Sequence, residues 1–247
     1  MPAPVKDRPL SLKDLEANRL LALLSRDERQ RLLPLMRFTS LQAKHVLYEA
    51  NSRITTIYFP LGAVASELST MTDGTTVEVA TVGKEGMLGV PVLLGGDITL
   101  QQVIAQIPGP ALTMKREDFE RTLNNGASGL RPILLRYIQA WVTQIAQQSA
   151  CNRSHRIAER CARWILLTHD RVQRPEFPLT HEFLAYMLGA RRASVSIAAS
   201  TLAKAGLISY TRGSIRVLNR KRLEKASCEC YEVIKREYDR LLSSDQG

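Results

Sequence analysis

The chain has 247 residues, of which 45% are hydrophobic and 23% are charged, a composition typical of a folded protein with one or two cored domains. The N-terminal residues lack the apolar stretch of a secretory signal, and the longest apolar run, residues 87–94, is far too short to span a membrane. We therefore expect a cytoplasmic protein with no membrane partner.

The net charge of +10 is distributed unevenly along the chain. Residues 1–149 hold 16 Lys and Arg against 14 Asp and Glu, an excess of +2, whereas residues 150–247 hold 18 against 10, an excess of +8. A basic excess confined to one part of the chain predicts a phosphate-binding surface there. A basic surface that only aids solubility is the alternative, and charge alone does not separate the two.

The first half predicts helices followed by many short strands. Residues 12–36 have a helical pattern, with Ser25 as a candidate cap inside it. From Lys44 onward, short runs of β-forming residues alternate with turn residues such as Asp73-Gly74. The candidate strands are residues 45–49, 54–59, 63–71, 75–82, 87–94, 103–107 and 111–114. We predict an antiparallel sandwich or barrel, with flanking helices, within residues 12–123.

A long helix is predicted from Leu130 to Cys151, after a short helix at residues 116–123. Four apolar residues of the long helix step by 4, 3 and 4, which is typical of a coiled-coil seam. These seam residues are Leu134, Ile138, Trp141 and Ile145. Ile133, Tyr137 and Val142 give the helix further apolar surface off the seam. We predict that residues 128–153 form a dimerisation helix paired with a second copy; a single helix buried in a monomer is the alternative.

The sequence pattern of residues 154–247 predicts a third region that contains a winged helix-turn-helix. A helix over residues 154–172 comes first, and residues 177–217 then read as two short helices and a β-hairpin. Thr180 is placed to cap the first short helix, Gly189 to end it, and Arg212-Gly213 to form the hairpin turn. Residues 219–242 read as one final charged helix. The second helix of such a unit is built to enter a DNA major groove.

The second short helix divides into a buried and an exposed face. Val195, Ala199 and Leu202 form the buried stripe, which leaves Ala193, Ile197, Ser200 and Lys204 on the opposite side. Arg191 and Arg192 stand in the first turn, which usually meets base edges. The full set of candidate DNA-binding residues is Thr180, Arg191, Arg192, Ala193, Ser194, Ser196, Ile197, Ser200, Lys204 and Arg212. Within this set, Thr180, Ser194 and Arg212 are the candidate phosphate contacts, which fix register without reading sequence.

No catalytic or metal motif is recognised in the sequence. There is no nucleophile elbow, no phosphate loop and no metal-spaced His/Cys set, and Glu78 and Glu85 read as solvated strand carboxylates. Cys161 lies on an apolar helical stripe and is therefore predicted to be a core residue. Cys228 and Cys230 are one residue apart, a poor match to zinc spacing, with no histidine nearby in the sequence; a redox or metal role for this pair stays open. We predict no enzyme activity, no cofactor and no metal.

The order of β-domain, long helix and winged helix-turn-helix resembles the Crp/Fnr superfamily of bacterial transcription regulators. The resemblance covers about residues 20–218. It is carried by LTHEFLAYMLGARRASV (179–195) and GLIS (206–209) in the C-terminal region, and by residues 57–62 and 82–89 in the β-domain. It implies an α+β protein with an N-terminal antiparallel β-roll or jelly-roll sensor domain. It also implies a homodimer on double-stranded DNA, with RNA polymerase as a further candidate partner.

Departures from the family's motifs refine this expectation. Family members that bind cyclic nucleotides use a Gly-Glu pair and an Arg-Ser pair, whereas here Val90 follows Gly89 and residues 100–103 contain no Arg. No Arg or Lys occurs between Glu85 and Met114, and so we predict no cyclic-nucleotide binding of the usual kind. The chain has no cysteine before Cys151 to match the family's iron–sulfur branch, and His45 is the only histidine in the β-domain.

The resemblance also gives Arg192 a role, because the matching residue of the family reads a guanine. The family's Glu and Arg at two further reading positions are replaced by Ala193 and Ile197, which contact thymine methyl groups instead of hydrogen-bonding partners. We therefore predict a sequence-specific regulator acting as a homodimer on an inverted repeat. The alternative is an effector-sensing protein whose winged helix contacts another protein.

Overall fold

The computed structural model describes residues 9–125, 129–211 and 213–243. Within these residues the chain forms two compact units. The first comprises residues 9–66, 81–125, 129–140 and 238–243, and the second comprises residues 67–80, 141–211 and 213–237. Among the described residues, no helix is long and apolar enough to cross a lipid bilayer.

The N-terminal helical segment consists of three short helices and one 3₁₀ turn. The helices are α1 (Leu12–Glu16), α2 (Arg19–Ala22) and α3 (Arg26–Leu32), and the 3₁₀ turn is Leu33–Leu35. Ser25 caps α3 as predicted, because its Oγ accepts the N–H of Glu28 while the Glu28 carboxylate accepts the N–H of Ser25. The prediction that helix continues to Met36 is wrong: Pro34 lacks an N–H, and a strand begins at Met36.

The strands of the β-domain are short and antiparallel, as predicted. They are β1 (Met36–Leu41), β2 (Val46–Tyr48), β3 (Ser52–Arg53), β4 (Thr56–Pro60), β5 (Val64–Thr70), β6 (Thr76–Val82), β7 (Ile98–Thr99), β8 (Gln102–Ile107) and β9 (Gly109–Lys115). One sheet has the order β1-β9-β4, another β2-β8-β5-β6, and β3 pairs with β7. Ile57, Phe59 and Leu112 are fully buried in the core of this domain. The far ends of β5 and β6, residues 67–80, belong to the second unit.

The prediction of a strand over residues 87–94 is wrong. Leu88 makes a single antiparallel bridge to Tyr58, and the chain then turns into a short helix, α4 (Val90–Leu93). Gly89 takes a positive φ of 107°, which ends the extended backbone, and Pro91 falls in the first helical turn, where its missing N–H costs no hydrogen bond.

Helix α5 (Arg116–Asn124) and the long helix α6 (Leu130–Ser154) lie where the sequence predicts them. In the first half of α6, Leu134 and Tyr137 are fully buried. The Tyr137 hydroxyl donates to the Met87 carbonyl at 2.9 Å, which fixes this helix face against the β-domain.

The second unit continues with α7 (Ile157–Val172), β10 (Glu176–Pro178), α8 (His181–Met187), α9 (Arg192–Lys204), β11 (Ile208–Thr211), β12 (Ser214–Val217), α10 (Arg220–Ala226) and α11 (Cys230–Leu241). The strand β10, which the sequence did not predict, pairs with β12 and gives the small sheet the order β10-β12-β11. The prediction of a single final helix over residues 219–242 is also wrong, because Ser227 has an extended ψ of 163° and separates α10 from α11.

This break brings distant cysteines together. Cys151 Sγ lies 3.5 Å from Cys228 Sγ, and Cys230 Sγ lies 3.5 Å from Nδ1 of His155. No histidine lies near Cys228 and Cys230 in the sequence, but chain folding brings His155 to Cys230 from 75 positions away. Cys161, by contrast, is buried in α7 as predicted, and burial raises the pKa of its thiol to about 12.

Candidate DNA interface

The helix-turn-helix is built from α8, a tight turn and α9. Thr180 caps α8 as predicted, since its Oγ1 accepts the N–H of Phe183 at 3.0 Å. Gly189 has a φ of 54° and ends the first helix, and Arg191 precedes the first residue of α9 in an extended conformation. Helix α9 packs against both α7 and α8, with Val195 and Leu202 on its buried side. This packing holds the opposite side of α9 outward.

The outward side of α9 carries the residues that helical spacing predicts to lie opposite the buried stripe. Ala193, Ile197, Ser200 and Lys204 are all exposed, and the Ile197 side chain is 69% exposed although it is apolar. Arg191 and Arg192 are also exposed, at the N-terminal end of the helix. Helix α9 contains no Asp or Glu. The face is therefore cationic at both ends and uncharged between them.

His181, the first residue of α8, contacts both α9 and β11. His181 Nδ1 lies 3.2 Å from the Ser196 hydroxyl, and its ring packs on Tyr210 with ring centroids 4.2 Å apart. Burial, and then the charge of Arg192, lower the pKa of His181. Ser196, a candidate DNA-binding residue, is thus half-buried and held by His181, and Ser194 is half-buried as well. The only sequence signal for His181 was its place directly after the cap Thr180.

The hairpin β11–β12 forms the wing beside Thr180. Thr211 pairs with Ser214, and Gly213, directly before Ser214, has a φ of 80°. The carbonyl of Gly213 accepts the N–H of Leu179 at 2.8 Å, so the wing turn lies next to the start of α8. Arg212, the candidate phosphate contact of the turn, lies outside the described residues. Arg216 of β12 is ion-paired with Glu176.

Behind the helix-turn-helix, the second unit buries two carboxylates. Glu78 Oε1 accepts the indole N–H of Trp164 at 2.9 Å, and the Glu78 carbonyl accepts from Gln148. The expectation that Glu78 is a solvated strand residue is wrong, because residues 67–80 pack within this unit. Glu67, on the neighbouring strand, is also buried, and this burial raises the pKa of its carboxyl to about 7.

In the β-domain, the segment that would meet a cyclic nucleotide is apolar. Val90, Val92 and Leu93 of α4 are buried. A Cβ added at Gly89 would lie 2.5 Å from Cδ1 of Ile57, so side chains already fill the space beside this turn. The Ser66 hydroxyl donates to the Gln106 amide at 2.6 Å, a neutral contact. The contacts at Gly89 and Ser66 are therefore apolar or neutral.

The candidate dimer seam on α6 is only partly exposed. Ile138, Trp141 and Ile145 are half-buried, whereas Leu134 is fully buried within its own chain. The most exposed large apolar residues of the helix are Val142, which is 52% exposed, and Leu135, which is 49% exposed. Leu135, Ile138, Val142 and Ile145 step by 3, 4 and 3, which is again coiled-coil spacing.

Comparison with known proteins agrees with this architecture. Residues 159–226 match the family model described as the Crp-like helix-turn-helix domain. No curated protein matches the chain. Among solved structures, FixK2 of Bradyrhizobium japonicum is 17% identical with a TM-score of 0.65, covering 78% of this chain and 98% of its own. A CRP-family transcriptional regulator of Thermus thermophilus is 18% identical with a TM-score of 0.64, covering 76% and 96%. CLP of Xanthomonas campestris, described as a c-di-GMP-responsive global regulator, is 12% identical with a TM-score of 0.61, covering 78% and 99%.

The fold, a β-domain, a long helix and a C-terminal helix-turn-helix, is thus shared with these solved structures. The family match identifies residues 159–226 as a Crp-like helix-turn-helix domain.

Proposed function

We propose that this chain is a sequence-specific DNA-binding transcription regulator and not an enzyme. The observation that carries the proposal is the outward face of α9, which is uncovered, free of carboxylates and led by two exposed arginines. Such a face complements the floor and the phosphate walls of a major groove. The excess charge of +8 in residues 150–247 adds long-range attraction for the same partner.

Within this interface, some residues contact base edges and others contact phosphates. Arg192 presents two parallel donors to O6 and N7 of a guanine, a contact worth roughly 1–3 kcal/mol of base discrimination. Ala193 and Ile197 press on thymine methyl groups. Thr180, Ser194 and Arg212 contact phosphates, and Arg191, Ser196, Ser200 and Lys204 complete the surface that faces the groove. The half-site therefore keeps one guanine contact and otherwise favours thymine.

The functional unit in this proposal is a homodimer joined along α6. Leu134 is covered by its own chain, so the seam consists of Leu135, Ile138, Val142 and Ile145, with Trp141 at its edge. Two-fold symmetry places the two copies of α9 about 34 Å apart, one turn of DNA, and so the site is an inverted repeat. RNA polymerase is a second partner of the DNA-bound dimer.

The β-domain of this regulator does not bind cyclic AMP in the usual way. A buried cyclic phosphate requires a cation and hydrogen-bond donors, whereas the segment from Gly86 to Thr113 contains no Lys or Arg and packs valine and leucine around its helix. CLP is described as responsive to c-di-GMP, so regulators of this fold are not confined to cyclic AMP.

A binding-site selection from random DNA, run on the wild-type chain and on Arg192→Ala, tests the reading mechanism. We expect the variant to lose the guanine from each half-site while the thymines are retained. Ser200→Ala, on the same exposed face, is the matched control and keeps the guanine. An unchanged base preference in Arg192→Ala would refute the reading role. Binding that is absent or independent of salt would favour protein recognition by the winged helix instead.

A further inference from the structure

Four potential metal ligands of the second unit converge on one point that the DNA interface does not use. The ligand atoms of Cys151, His155, Cys228 and Cys230 all lie within 4.8 Å of one another. Cys151 stands near the end of α6, His155 in the link to α7, and the other two at the junction of α10 and α11. All three cysteines are buried and none forms a disulfide.

The spacing of these atoms fits a single tetrahedral ion. With Zn–S bonds of about 2.3 Å and a Zn–N bond of about 2.0 Å, a tetrahedral site places its sulfurs about 3.8 Å apart and sulfur and nitrogen about 3.5 Å apart. The observed distances are 3.5 Å between Cys151 Sγ and Cys228 Sγ, and 3.5 Å between Cys230 Sγ and His155 Nδ1. An iron–sulfur cluster spreads its ligands over several metal atoms, whereas these four surround one position.

The surrounding side chains orient the ligands as they do in known metal sites. Nδ1 of His155 faces the thiols, while its Nε2 lies 3.1 Å from the Glu229 carboxylate, the second partner that metal-bound histidines typically have. The Gln147 amide donates to Cys230 Sγ at 3.2 Å.

Arg163 supplies the charge that a thiolate site needs. It is fully buried, donates from Nη1 to Gln148, and among the described residues its Nε and Nη2 have no hydrogen-bond partner. Three thiolates around Zn²⁺ carry one net negative charge, and Arg163, which interacts electrostatically with Cys151, balances that charge. A buried guanidinium without a carboxylate is costly unless such an anion lies nearby.

We propose that Cys151, His155, Cys228 and Cys230 bind one structural Zn²⁺ ion. With four protein ligands the site has no open position, so the ion holds structure and performs no catalysis. It fastens the C-terminal end of α6 and the start of α7 to the junction of α10 and α11, all within the second unit. Binding displaces the thiol protons, so affinity falls at low pH.

Metal analysis of the full chain, with any affinity tag removed, tests the site directly. We expect about one zinc ion per chain, and loss of that zinc in Cys151→Ala and Cys230→Ala. Cys161→Ala is the matched control, because Cys161 is equally buried in the same unit but stands outside the cluster. Chelation of the wild-type zinc should lower the melting temperature by about 10 °C, the shift for an ion present at roughly a thousand times its dissociation constant.

A titration with Co²⁺ keeps the test independent of whether the variants fold. The chelated wild-type chain should take up one Co²⁺ and show the intense visible bands of a tetrahedral ion with thiolate charge transfer. The proposal would be overturned if the purified chain contains zinc only at the background level and if added Co²⁺ gives an octahedral spectrum. A reversible Cys151–Cys228 disulfide in metal-free protein that cannot be loaded with zinc would also overturn it and define a redox pair.

Discussion

Glu67 offers a quantitative test of the buried core of the second unit. Its carboxyl is buried, and this burial raises the pKa from its ordinary value of 4.5 to about 7. A rise of about 2.5 in pKa is equivalent to about 3 kcal/mol. The Glu67 carboxyl loses its proton near pH 4.5 in the unfolded chain but only near pH 7 in the folded chain. The stability that protonated Glu67 contributes is therefore complete below pH 4.5 and is lost as the pH rises through 7.

The substitution Glu67→Gln removes this titration and keeps the shape of the side chain. We expect the variant to be more stable than the wild type by about 3 kcal/mol at pH 8.5, and by only about 1 kcal/mol at pH 5. Urea unfolding followed by tryptophan fluorescence measures the difference, because Trp141 and Trp164 are the two tryptophans and both lie in this unit. Protein concentration is held constant, since a dimer's stability depends on it.

The exposed residue Glu182 provides the control, and Glu182→Gln should change stability by no more than about 0.5 kcal/mol at either pH. A Glu67→Gln variant with the same stability advantage at pH 5 and pH 8.5, or with none at pH 8.5, would refute the reasoning from burial.

Three further substitutions test other parts of the structure. Gly89→Ala should lower the stability of the first unit by roughly 1–3 kcal/mol in thermal unfolding, because of the positive φ and the close approach of Ile57; no loss would contradict this packing. Thr180→Ala should destabilise α8 by about 1 kcal/mol, whereas Thr180→Ser keeps the cap and its stability. Val142→Glu should convert a dimer to a monomer in analytical ultracentrifugation, while Val142→Leu stays dimeric; a Val142→Glu dimer would place the seam elsewhere.

The helix-turn-helix could be predicted closely because its signals are local. The cap at Thr180, the glycine after α8 and the buried stripe of α9 each depend on residues a few positions apart. The faces of α9 then follow from helical periodicity alone, which is why Ile197 and Lys204 were placed on the exposed side.

Features that depend on long-range packing were missed. The periodicity of α6 predicted a seam through Leu134, because sequence alone does not tell which of two apolar faces the same chain covers. Burial of Glu78 depends on helices that come 70 to 86 residues later. The cluster of Cys151 and Cys228 likewise exists only because the break at Ser227 turns the chain back.

The most direct test of a symmetric DNA reader is a random-DNA selection with the purified wild-type chain, run with and without cyclic AMP. We expect an enriched inverted repeat whose half-sites are one helical turn apart, about 34 Å, each with one guanine and adjacent thymines, and the same site with or without the nucleotide. A single asymmetric half-site would contradict the homodimer. No enrichment would contradict DNA reading, and a site that appears only with cyclic AMP would contradict the β-domain assignment.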